Sequence, residues 1–225
     1  MITVQKEHLT RQMDIIPLAA LNTRVTIIGA GAIGSFTAFA LAKMGYNDIH
    51  VFDFDTVSIE NMNAQMFRFS DIGKSKVDSL KEIIKDFADT DITVQNKKYE
   101  NEIFQDIVIC AVDNMETRKD VYNAHKNMPY ITRLFVDPRM AIEYAYIQAF
   151  DPNDKAQCDL YEKTLFTDDE AVQERCTNKS TIYTSQLIGA TIAKIVKDIT
   201  TKKKYINRIM WDIAGNDVMS VTSIG

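Results

Sequence analysis

Six residues, Gly29-Ala30-Gly31-Ala32-Ile33-Gly34, have the spacing G-x-G-x-x-G. The first glycine permits a tight turn, the second lets backbone approach a phosphate, and the third allows close helix–strand packing. A helix beginning at this turn offers free N–H groups and a partial positive charge to an anion. Asp53 lies 19 residues beyond Gly34, at the end of a short apolar run, where a carboxylate can accept from ribose hydroxyls. Lys76 follows Gly73 in a G-x-x-K spacing and opens a helical pattern, so its ammonium can meet phosphate oxygens. Asn61 can bond to phosphate without adding charge. Asp113 ends a buried strand, at the edge where open α/β sheets bind ligands; the alternative is a cap on the helix that follows. Cys176 stands between Arg175 and Lys179 ahead of a helix, a setting that lowers a thiol pKa. Together these groups suit nucleotide binding, charge neutralisation at phosphates, and one reactive thiol.

The elements that must position these residues are legible in periodicity. Residues 24–28 form a β-branched strand, 35–44 a helix closed by Gly45, and 48–53 a second strand. That is one strand–turn–helix–strand unit. Residues 76–87 carry Val77, Leu80, Ile83, Ile84 and Phe87 at the helical period. Residues 92–94 and 106–113 read as strands, the second buried on both faces. Residues 115–127 read as a helix, 130–136 as a strand and 144–150 as an antiparallel strand. A strong helix covers 181–198, and a terminal hairpin pairs 206–211 with 218–221 across residues 214–217. Residues 5–21 read as an amino-terminal helix interrupted at Pro17. Residues 151–177 read as a polar crossover loop, and Lys202-Lys203-Lys204 as a solvated turn. The predicted fold class is α/β: a Rossmann-like, mostly parallel sheet flanked by helices, with an antiparallel C-terminal extension. One domain is expected over residues 1–225.

The run from Asp53 to Gln65, DFDTVSIENMNAQ, is followed by Gly73-Lys74-Ser75-Lys76 and by Asp113-Asn114-Met115-Glu116-Thr117-Arg118. In this order and spacing the sequence resembles the ubiquitin-activating-enzyme-like superfamily of adenylating proteins, the ThiF and MoeB type. That family's pattern is G-x-G-x-x-G, then D-x-D-x-V-x-x-x-N-x-x-R-Q, then G-x-x-K, then D-N-x-x-x-R. The resemblance implies ATP-dependent adenylation of the C-terminal glycine of a small ubiquitin-like or sulfur-carrier protein, with release of pyrophosphate. It implies ATP contacts at Gly29, Gly31, Gly34, Asp53, Asp55, Gln65 and Asn114. It also implies catalytic roles for Asn61, Lys76 and Asp113, with Asp113 as the Mg2+ ligand. Leu9-Thr10-Arg11-Gln12-Met13 resembles the family's amino-terminal element, and by that match Arg11 reaches ATP phosphates across a dimer interface. Cys176 is matched to a cysteine that in several relatives takes the activated carrier covalently. A homodimer is implied, with a sulfurtransferase or conjugating enzyme as a possible further partner.

The sequence departs from the family in two places. Position 64 holds Ala where the pattern has arginine; Arg68 or Arg11 is expected to compensate, or ATP turnover is weak, or the chain is a non-catalytic half of a heterodimeric activating enzyme. Cys158 keeps one position of a zinc-binding C-x-x-C pair, but Tyr161 holds the other, so no structural zinc is expected. A dinucleotide oxidoreductase accounts for the glycine turn and Asp53 and leaves Lys76 and Asp113 without a role.

Composition narrows the classes further. The 225 residues are 46% hydrophobic and 25% charged, ordinary for a globular protein. Lys and Arg number 26 against 31 Asp and Glu, a net charge of −5, so nucleic acid and acidic membranes are not expected partners. Three cysteines are too few for a disulfide scaffold, and Cys110 reads as a buried apolar residue. Without an apolar leader in residues 1–12, a cytoplasmic location is expected.

Overall fold

In the computed structural model, residues 4–128, 131–167 and 181–222 are described. Five strands form the parallel part of one sheet: β1 (Val25–Ile28), β2 (Ile49–Phe52), β3 (Thr93–Gln95), β4 (Asp106–Cys110) and β5 (Thr132–Ala141). Three more continue it antiparallel: β6 (Tyr144–Phe150), β7 (Ile206–Asp212) and β8 (Asp217–Thr222). The spatial order is β3-β2-β1-β4-β5-β6-β7-β8. The expected α/β architecture, with its antiparallel C-terminal extension, is the observed one.

The central strands are short β-branched runs with no exposed position; Val25, Ile27 and Ile107–Cys110 are essentially inaccessible. Such runs are stable only when both faces are covered. One face carries α1 (Ala32–Lys43), α2 (Lys76–Ala88) and α5 (Ile182–Thr200), whose apolar residues join one core. The other carries α3 (Met115–His125) and α4 (Lys155–Glu162), which pack Tyr122, Cys158 and Tyr161 against Phe135 and Phe150. Gly189 lets α5 approach α1 closely: a Cβ there would lie 2.9 Å from the Phe36 Cβ. No helix among the described residues is long and apolar enough to cross a membrane.

Two segments differ from expectation. The amino-terminal segment is not one kinked α-helix but two 3-10 helices, Val4–Gln12 and Leu18–Asn22. Pro17 stands extended between them at φ −61°, ψ 144°, as a residue with no N–H to give must. The crossover segment holds α4, missed as helix because it is short. Asp154 starts it by accepting from the Ala156 and Gln157 N–H groups at 2.9 and 3.1 Å. Its Cys158 and Tyr161, one turn apart, are both buried. Lys202, Lys203 and Lys204 are exposed, as expected of a solvated turn. Residues 168–180, and Cys176 with them, lie outside the described residues.

Candidate active site

Strand register aligns the site. Ile28, Phe52 and Cys110 are neighbours across β2-β1-β4, so Gly29, Asp53 and Ala111 leave the sheet at one level. This is the carboxyl edge of the parallel strands, where open α/β sheets take ligands. Gly29 has φ +99°, a conformation natural only to glycine, and a Cβ there would lie 2.4 Å from the Ala111 carbonyl oxygen. Gly34 is packed tighter still, with its would-be Cβ 1.8 Å from the Gly29 carbonyl oxygen. Gly31 faces open space. It begins α1 with no side-chain cap and no acid in the first turn. The N–H groups at that helix end are therefore left for an anion.

Asp53 holds the turn through both of its carboxylate oxygens. Its Oδ2 accepts the Ala30 N–H at 2.6 Å and its Oδ1 the Asp55 N–H at 2.8 Å. Asp55 in turn accepts from Lys76. The Lys76 Nζ sits 2.8 Å from Asp55 Oδ2, with the lysine side chain 9% exposed and the aspartate 48%. A small ribbon builds this pair: Val57 and Gly73–Lys74 exchange backbone bonds at 2.8 Å, and Lys76 N–H donates to the Asp55 carbonyl at 3.0 Å. Lys76 is thus fixed at the start of α2, with its ammonium directed at the segment leaving β2.

The segment from 58 to 66 lies beside the first turn of α1, because the Met66 N–H donates to the buried Ser35 Oγ at 3.1 Å. Asn61 spends its side-chain oxygen on the Ser58 N–H at 2.9 Å, closing a capping box. The Gln65 Oε1 is buried with no partner among the described residues. Ala64 is 2% exposed, so position 64 is a packed site rather than an opening to the cleft.

Arg68, one candidate to compensate for Ala64, is engaged by carboxylates of its own chain. Its guanidinium donates to buried Asp71 at 3.0 Å, to Glu82 at 2.9 Å and to Asp86 at 3.3 Å. Those contacts hold Asp71 below the ordinary carboxylate range, against the burial that works the other way. Arg11 is exposed, on the segment whose Gln12 donates to the Met44 carbonyl at 2.5 Å. That is the far end of α1, about 18 Å from the glycine turn at 1.5 Å per residue over a 12-residue helix. The structure does not bring Arg11 to the glycine turn of its own chain.

Asp113 is exposed just past β4 and accepts from the Asn114 Nδ2 at 3.3 Å. It is Asn114, not Asp113, that caps α3, accepting the Thr117 N–H at 2.8 Å. The cap leaves Asp113 free for another task and engages the oxygen of Asn114, one of the expected ATP contacts. The donor set fits Mg2+ arriving with a nucleotide. Among the described residues no three of His, Cys, Asp or Glu cluster as metal ligands. Mg2+ is commonly held by one or two carboxylates with the rest of its shell from phosphates and water. The open Gly31 side of the turn leaves room for the phosphates of ATP.

Sequence reading overlooked a polar cluster beneath this edge. Arg118 is buried against Asp137, a pair made on the C-terminal part of β5. Arg139 and Tyr161 reach the same carboxylate at 2.7 and 3.0 Å. Burial opposes the Arg118 charge, yet Asp137 offsets it and holds the guanidinium above its ordinary value. Arg118 stood in the D-N-x-x-x-R pattern, which was the available signal. Cys110, beside this cluster, is pushed up to about 12 by burial, the behaviour of an inert core thiol. Cys158 is also buried, in α4 rather than in a loop, and its Sγ donates to the Pro152 carbonyl at 3.3 Å.

The chain is 36% identical over 111 residues to the SUMO-activating enzyme subunit uba-2 of Caenorhabditis elegans, covering 45% of this chain and 19% of that protein. It therefore spans about a fifth of that relative's length. Among solved structures, PaaA superposes with a TM-score of 0.77 at 13% identity, over 98% of this chain and 74% of PaaA. E. coli MccB with ATP superposes at 0.71 and 14% identity, over 98% of this chain and 72% of MccB. These two likenesses speak to the fold. The ThiF family profile matches residues 12–219, nearly the whole described chain, and the protein belongs to the ThiF family.

Proposed function

We propose that the chain activates a carboxylate with ATP: it adenylates the C-terminal glycine of a small ubiquitin-like or sulfur-carrier protein. The observation that carries this reading is the meeting of Gly31, Asp53 and Asp113 at one sheet edge. The buried stem of Lys76 adds a cation, paired with Asp55 two residues beyond Asp53. A carboxylate oxygen of the partner attacks the α-phosphorus, the bond from that phosphorus to the oxygen bridging to the β-phosphorus breaks, and pyrophosphate leaves. The α1 N-terminus and glycine turn cradle phosphate oxygens, Asp53 takes the ribose, and Lys76 exchanges Asp55 for phosphate. Asn61 and Gln65 orient the triphosphate from the segment beside α1. Mg2+, when bound, neutralises phosphate charge, and Asp113 is the residue that would hold it. Arg11 belongs to the site of a second copy in a homodimer, since its own glycine turn is a helix length away. Cys176 is the proposed acceptor if the adenylate is passed on as a thioester.

The test is pyrophosphate exchange with purified chain, ATP, Mg2+ and Gly-ended carrier proteins or peptides. Exchange that appears only with a Gly-ended partner, and falls at least about a hundredfold in Lys76→Met, supports the reading. Absence of exchange with every carrier, peptide and amino acid, alongside intact ATP binding, would favour the non-catalytic half of a heterodimer, consistent with the packed Ala64.

A further inference from the structure

Arg118 spends its guanidinium on backbone. One Nη donates to the Cys110 carbonyl at 3.2 Å and the other to the Val112 carbonyl at 2.5 Å. Cys110 is the last residue of β4 and Val112 immediately precedes Asp113. The residue is 5% exposed, and its third partner, Asp137, is fully buried. A buried ion pair contributes little net stability over apolar packing, so its use here asks for a positional explanation. The turn it grips also abuts the glycine turn, since the Ala111 carbonyl oxygen fills the space a Gly29 Cβ would need. Movement at 111–113 would therefore disturb both sides of the cleft.

We propose that Arg118, anchored by Asp137, is a positioning residue that clamps the β4–α3 turn and so fixes where the Asp113 carboxylate stands. The proposal rests on the nucleotide-site reading above. Arg118 touches no reacting atom; it acts through Val112 and Asp113. Lysine at this position carries the same charge but cannot span two carbonyls and a carboxylate from a single nitrogen.

A double-mutant cycle tests it, with Arg118→Lys, Asp113→Asn and both together. Calorimetry measures a nonhydrolysable ATP analogue with Mg2+ and with EDTA, and thermal unfolding is recorded in parallel. Arg118→Lys is expected to weaken binding about tenfold in Mg2+ and less than about twofold in EDTA. In the Asp113→Asn background the same change should add less than about twofold, because the group it positions is gone. An equal loss in both backgrounds, or in EDTA, overturns the proposal and leaves Arg118 a support of the fold. Should Arg118→Lys fail to fold, Asp137→Asn goes through the same cycle with the same criteria. Wild-type protein that binds no analogue in either condition refutes the nucleotide site itself, and the positioning role with it. Binding with an additive cycle refutes the positioning role alone.

Discussion

Two glycines of one motif should fail in opposite ways. Gly34→Ala places a methyl 1.8 Å from the Gly29 carbonyl oxygen, with the Gly29 carbonyl carbon at 3.0 Å and Ile27 Cγ2 at 3.2 Å. The first two obstacles are backbone, so α1 and the glycine turn must part by more than an ångström. Interiors this dense do not yield locally, and the cost is on the order of 3 kcal/mol or more. For a chain of this size that lowers Tm by about 6–12 °C. Gly31→Ala meets no atom within 4 Å, and its φ of −75° suits any residue. Its folding cost is about 1 kcal/mol or less, the difference between glycine and alanine at a helix N-cap. Its methyl does stand on the open side of the turn, where the phosphates are expected. Analogue affinity should therefore drop at least about tenfold, or about 1.4 kcal/mol, while Tm moves little. Thermal unfolding and titration calorimetry on the two variants read both effects. Gly34→Ala with wild-type Tm would refute the packing argument, and Gly31→Ala with wild-type affinity would move the phosphates away from this turn.

Two further outcomes follow from titratable groups that the fold has buried. His125 is inaccessible, with Nδ1–H donating to the Val121 carbonyl at 2.6 Å and Nε2 accepting the Phe104 N–H at 3.0 Å. Burial pushes its pKa below the ordinary 6.5, so the unfolded chain takes up the proton first. Stability is full above about pH 6.5 and falls as the pH drops below it, by at most about 1.4 kcal/mol per unit from this group. Urea unfolding at pH 7.5 and 5.5 measures the slope, and His125→Gln should flatten it; an unchanged slope removes His125 as its source. Arg68→Ala strips buried Asp71 of its main partner and should cost about 1–3 kcal/mol in urea unfolding. Analogue affinity should stay within about twofold, and a large binding loss without destabilisation would return Arg68 to the phosphates.

How much was legible in the sequence differs by element. β1, α1 and β2 declared themselves because a β-branched run, a glycine turn and a helical period follow one another. Their shared level at the sheet edge follows from register, which periodicity does not contain. α4 was missed because eight residues give barely two turns of pattern. The ion pairs of Arg68 were not legible because Glu82 and Asp86 lie 14 and 18 residues away and meet it only after α2 has packed. The Arg118–Asp137 pair joins α3 to β5, and a buried arginine in a helix looks, in sequence, like a surface one. Asp113 was singled out by its place at a strand end, and the helix-capping task belongs to its neighbour Asn114.

The strand order also has a consequence in time. β1 lies between β2 and β4, so the glycine turn, made early in the chain, is walled on one side by a strand made eighty residues later. A ribosome-bound chain that has emerged only through β3 can form the first strand–helix–strand unit but has no wall opposite Gly29. Until Asp137 emerges, Arg118 has no anchor. Such long-range pairing is slow to close, and domains assemble from the N-terminus during synthesis. The nascent protein therefore carries its glycine turn through all the synthesis from Gly34 to Asp137 before the turn is walled and Arg118 anchored.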